Sequence, residues 1–82
     1  MSSSSLASLL KMFSPDIIYS IFSMADDIVM EESNSFLSKL DQLEISNIEY
    51  NLVKQLVLNL SELPRLDYYT LKQEFRSSKG RL

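Results

Sequence analysis

Gly80 is the only glycine in a chain of 82 residues, and Pro15 and Pro64 are the only prolines. Strands joined by tight turns need residues that accept positive φ, and glycine does so at the least steric cost. A chain with a single glycine, placed near its last residue, lacks the turn residues that a set of hairpins requires. The apolar residues point to the alternative. Ile17, Ile18, Ile21, Phe22, Ala25, Ile28 and Val29 recur at i, i+3, i+4 and i+7, the spacing that gathers side chains on one helical face. Ile48, Leu52, Val53, Leu56, Val57, Leu60 and Leu63 repeat it. The spacing predicts an all-α bundle of four to five helices over residues 5–12, 15–31, 34–43, 47–62 and 66–79.

Two starts carry two independent signals each. In FSPDII, Ser14 suits an N-cap, Pro15 the first helical position, and Asp16 the positive end of the helix dipole. Phe13 and Ile18 stand at hydrophobic-staple spacing around that cap. In ISNIEY, Ser46 and Glu49 form a capping box, with Ile45 and Tyr50 as its staple. Glu32 and Ser33 interrupt the apolar stripe, so the helix from Pro15 is expected to end near Glu31, with Ser33 or Asn34 capping the next. Pro64 forbids continuation of the fourth helix, and Gly80 is a candidate stop for the fifth. In LVKQLVLNL only Lys54, Gln55 and Asn59 are polar, which predicts that the fourth helix is the central one.

A chain this short is expected to be a single domain over residues 1–82, with a flexible start at 1–4 and a frayed end at 80–82. Its core is thin, and a second copy or a bound partner would supplement it. The absence of cysteine and histidine excludes disulfides and thiolate sites and removes the commonest metal ligand and general base. The opening MSSSSLASLLKMF has no basic segment ahead of its brief apolar run, unlike a signal peptide, and no run approaches the length of a membrane span. A cytoplasmic location is therefore expected. In general character the chain, short and rich in serine, isoleucine and asparagine, resembles small accessory regulators encoded by large phages. That likeness is one of composition and is carried by no motif.

Acids are the only catalytic raw material present in quantity: Asp26 and Asp27, Glu31 and Glu32, Asp41 and Glu44. Asp27 and Glu31 stand at i, i+4, where two carboxylates can meet over a hard cation. Exposed acids on the wet side of an amphipathic helix are the ordinary case. There is also no phosphate-binding glycine loop, and no serine has a histidine to activate it. No catalytic, metal or cofactor site is expected, and the protein is read as a non-enzyme.

Charge is distributed unevenly. Residues 1–63 carry three lysines against nine acids, a net of −6; residues 64–82 carry five cations against Asp67 and Glu74, a net of +3. On a helix, Tyr68, Leu71, Lys72 and Phe75 share one side, so Leu71, Phe75 and one tyrosine are expected to dock the last helix on the bundle. Tyr68, Tyr69, Lys72, Arg76, Lys79 and Arg81 are candidate partner-binding residues. Met24 and Met30 join them, as adaptable thioether side chains off the main stripe. The same basic strip could instead pair internally with the acids of residues 26–32. These features predict a small regulator that binds another protein with an acidic surface, with self-association as a further expectation. Nucleic acid fits less well, since the chain as a whole carries −3 and a few cations make a small electrostatic footprint.

Overall fold

Serine side chains open two of the five helices in the computed structural model, which describes residues 3–31 and 33–80. The helices are α1 (Ser3–Leu10), α2 (Pro15–Val29), α3 (Ser33–Asp41), α4 (Asn47–Ser61) and α5 (Arg65–Gly80). No strand occurs among the described residues, and the fold is a small all-α bundle. Ser14 holds an extended backbone, and its hydroxyl accepts from the Ile17 N–H at 3.4 Å. At α4, Ser46 Oγ accepts from the Glu49 N–H at 3.2 Å and donates to Glu49 Oε1 at 3.0 Å. Both starts thus satisfy backbone donors that have no partner within the helix. Phe13, Ile18, Ile45 and Tyr50, the four staple residues, are all half-buried against the core.

The helix ends differ from expectation, for a reason that the glycine count hides. The break after α2 is present, but α2 stops at Val29, and Glu31 takes the left-handed conformation at φ 63°. Its N–H donates to the Ile28 carbonyl at 3.0 Å, so Glu31 fills the role that glycine usually plays beyond a helix end. Glu44 does likewise between α3 and α4, at φ 52°. Ser33 and Asn34, expected as caps, are already inside α3. The α1 helix begins at Ser3, within the segment expected to be flexible, and α5 runs through Gly80. A glycine lowers helix propensity by about 1 kcal/mol without forbidding the helix.

Centrality is shared by two helices. The α4 helix packs against α2 and α1, while α2 packs against α4 and α3, and α1 also reaches α5. From α2 come Ile21, Phe22, Met24 and Ala25, and from α4 come Val53, Leu56, Val57 and Leu60. Leu6 and Leu10 of α1, Phe36 and Leu40 of α3, and Tyr68 and Leu71 of α5 complete the buried cluster. The expectation of one hub is corrected to a pair, because α2 lies between α4 and α3. Ile48, counted in the apolar stripe of α4, is instead 82% exposed.

Two outcomes follow from these positions. Leu56→Ala empties a fully enclosed site and is expected to cost about 2–5 kcal/mol in thermal or urea unfolding; a loss below about 1 kcal/mol would place Leu56 outside the core. Glu31→Gly relieves the steric penalty of the left-handed region and is expected to raise stability by about 0.5–1 kcal/mol, less the extra entropy of the unfolded glycine. An unchanged or lowered midpoint would mean that the Glu31 side chain stabilises the turn by more than its backbone costs.

Candidate functional site

The last helix begins where Pro64 ends the previous connection. The Pro64 carbonyl accepts the first helical bond of α5 from the Tyr68 N–H at 2.9 Å. One side of α5 is then anchored. Tyr68 and Leu71 are buried, and Phe75 is half-buried against the same core. The Phe22 ring lies 6.2 Å from the Tyr68 ring and 6.0 Å from the Phe75 ring, both tilted. Tilted contacts at such spacing suit the aromatic quadrupole and add to the area buried.

A polar latch joins the same two helices. The Tyr68 hydroxyl donates to Asp26 Oδ1, with the Phe22 carbonyl 3.4 Å away as a second, longer acceptor. Lys72 Nζ donates to the other carboxylate oxygen, Asp26 Oδ2, at 2.6 Å, and stands 5.9 Å from the centre of the Tyr68 ring. Asp26 therefore receives a phenol and an ammonium one helical turn apart on α5. Burial pushes the Tyr68 phenol far above its ordinary value of 10.0, because it disfavours the phenolate; the hydrogen bond to Asp26 and the charge of Asp26 add to that, and Arg65 partly offsets it.

The neighbouring acid faces another helix. Asp27 is buried, and Lys39 of α3 places Nζ 2.8 Å from its Oδ2 while donating to Ser23 Oγ at 2.9 Å. The Asp27 contact is an ion pair by distance, but its angle falls short of a hydrogen bond. Asp26 and Asp27, which the sequence offered as paired carboxylates, thus point to different helices and neutralise different lysines. Among the described residues no group of three acids is placed to hold a metal ion. An open cleft between α1 and α5 has a mostly polar lining, from Ser8, Lys11, Asp67, Thr70 and Glu74, with a smaller apolar share from Ala7 and Leu71, unlike the predominantly apolar pockets that enclose small molecules.

The candidate contact residues separate accordingly. Tyr68 and Met24 are fully buried and belong to the core, so neither offers a surface to a partner in this fold. Met24 was read as lying off the stripe; it is enclosed because α2 is covered from two directions, by α4 and by α3. Lys72 is engaged by Asp26, as internal pairing of the basic strip would have it. Tyr69 is 50% exposed with its ring 5.5 Å from that of Tyr68, and Met30 is exposed just beyond α2. The side chains of Arg76 and Lys79, and Arg81 as a whole, lie outside the described residues.

Two residues not singled out in the sequence complete the outer flank of α5. Leu66 is 77% exposed, and Arg65 is exposed at the first helical position. The signal was available in the register: Arg65 and Tyr69 are four residues apart, and Leu66 and Tyr69 three, spacings that bring side chains together on one helix. Comparison with known protein families, with curated proteins and with solved structures finds no match.

The latch has a pH signature. Unfolded Tyr68 ionises near 10.0, whereas folded Tyr68 keeps its proton at that pH. Stability from the protonated phenol is complete below pH 10.0 and is lost as pH rises above it. Tyr68→Phe is expected to cost about 1–2 kcal/mol at neutral pH, because Asp26 loses a donor. It is also expected to flatten the alkaline fall of the urea midpoint; equal slopes for the two proteins would show that the phenol ionises as readily folded as unfolded.

Proposed function

We propose that this protein is a non-enzymatic interaction module that binds and regulates an acidic partner protein through the outer flank of α5. The observation that carries the reading is the exposed pair Leu66 and Tyr69 on a helix whose opposite side is fastened by Tyr68, Leu71 and the Asp26–Lys72 ion pair. A face backed in this way loses little conformational entropy when it binds. Arg65 at its start, together with the net +3 that residues 64–82 carry in sequence, supplies the charge that steers an acidic surface onto the apolar centre. Aromatic and apolar anchors inside a charged rim are the arrangement that protein interfaces use. Withdrawal of Lys72 into the pair with Asp26 removes one cation from any phosphate footprint, which favours a protein partner over nucleic acid. No helix among the described residues is long and apolar enough to cross a membrane.

The test reverses Arg76, Lys79 and Arg81 to glutamate together. The melting temperature is expected to move by less than about 4 °C, since terminal charges contribute less than about 1 kcal/mol. Partner capture from the source cells, followed by quantitative mass spectrometry, should show one acidic protein lost by the variant. Its association rate with the purified protein should fall by about tenfold or more at low salt. A collapsed melt would show that these cations hold the bundle together, and unchanged capture would reduce them to solubilising charge.

A further inference from the structure

The last helix has a thinner hold on the bundle than either helix of the central pair. Among its described side chains Tyr68 and Leu71 are buried and Phe75 is half-buried; apart from Lys72, the others between Arg65 and Glu74 are exposed. By contrast α2 buries Ile21, Phe22, Met24, Ala25 and Asp27, and α4 buries four apolar side chains. The closest backbone packing of α5 is with α1, a helix of eight residues. Its hold on α2 is made by side chains: the rings of Tyr68 and Phe75 against Phe22, and the polar ends of Tyr68 and Lys72 on Asp26. Two bonds from α5 thus converge on one carboxylate, and that carboxylate is open to water. The Asp26 side chain is 39% exposed and that of Lys72 26%, whereas Asp27, which holds α3, has a side chain only 12% exposed.

We infer that α5 is a strap that opens as one unit while α2, α3 and α4 stay folded, with Asp26 as the latch that sets how often it does so. Elements with few buried apolar contacts open at a lower free energy than the core they rest on. A helix of 16 residues without tertiary contacts is marginal in water, so release of its inner side unwinds α5 as a whole. Hydrogen bonds to an ionised acceptor are the stronger kind, and Asp26 accepts two of them from α5. Removal of that one charge therefore weakens both. Opening uncovers the Phe22 ring and the side of α1 that meets α5. The device belongs to the inner side of α5 and does not depend on what binds its outer flank.

The experiment is native-state amide hydrogen exchange on the full chain, read by mass spectrometry on α4 and α5 peptides over a series of urea concentrations below the unfolding transition. In the wild type the amides of α5 should share one opening, with a smaller urea dependence than the amides of α4, because release of α5 alone exposes less surface. Asp26→Asn keeps an acceptor oxygen but removes the charge, and should speed exchange in α5 by about tenfold or more. Lys72→Met keeps the alkyl chain and should act in the same direction. Val57→Ala, a mild lesion inside the α2–α4 core, should speed exchange in α4 by about fivefold and leave α5 unchanged, because the open state retains that core. A single opening common to α4 and α5, equal acceleration of both by Val57→Ala, or an α5 indifferent to Asp26→Asn would each overturn the inference. So would graded exchange along α5 without urea dependence, which is fraying, or an Asp26→Asn protein that unfolds altogether, which would make Asp26 a support of the whole bundle.

Discussion

The face of α2 built from Ile21, Phe22, Met24 and Ala25 is enclosed by α4 and α3 and, at Phe22, by Tyr68 and Phe75 of α5, and the remaining contacts are arranged around that burial. The α1 helix, packed on α4 and α5, adds Leu6 and Leu10 to the core, and α5 adds Tyr68 and Leu71. In a chain of 82 residues no element can be apolar on every side and still leave a soluble surface. Sharing the centre between α2 and α4 resolves this, since each needs to be enclosed only in part. The cost appears at the helix ends, where Glu31 and Glu44 hold left-handed backbones so that the chain can turn between well-covered helices.

Polar contacts then set how the outer helices sit. Asp26 and Asp27 are consecutive on α2, about 100° apart around its axis, so one faces α5 and the other α3. Asp26 takes Lys72 and the Tyr68 phenol, and Asp27 takes Lys39. Hydrophobic burial alone is non-directional and would allow both outer helices to slide or rotate. Partly buried ion pairs contribute little net free energy, because desolvation offsets the attraction, but they discriminate between registers. The two acids therefore define positions for α3 and α5 that apolar contact would leave loose.

That internal use of charge shapes what remains for partners. The basic stripe of α5 is divided: Lys72 turns to Asp26, and Arg65 stays at the surface beside Leu66 and Tyr69. Tyr68 and Tyr69 are adjacent in sequence with opposite duties, one holding the helix from within and the other covering its outer side. Under the proposed function, anchoring of α5 would keep its contact surface in one shape between encounters.

By itself the sequence determined what local chemistry can determine: that the chain is helical, that helices begin at Ser14 and Ser46, and that Leu71 and Phe75 face inward. Each of these depends on side chains within four residues of one another, where spacing and hydrogen bonding leave little choice. The breaks near Glu31 and Leu43 were legible in the apolar pattern, but the left-handed turns at Glu31 and Glu44 were not, because glycine is the residue that usually marks them and here glutamate adopts the same backbone. Only the tertiary structure decided that Met24 is enclosed, that Tyr68 rather than Tyr69 is the anchor, and that Lys72 belongs to Asp26, 46 residues away. Those outcomes depend on which helix covers which, and no short stretch of sequence carries that information, because an exposed and a buried position on an amphipathic helix can be one residue apart.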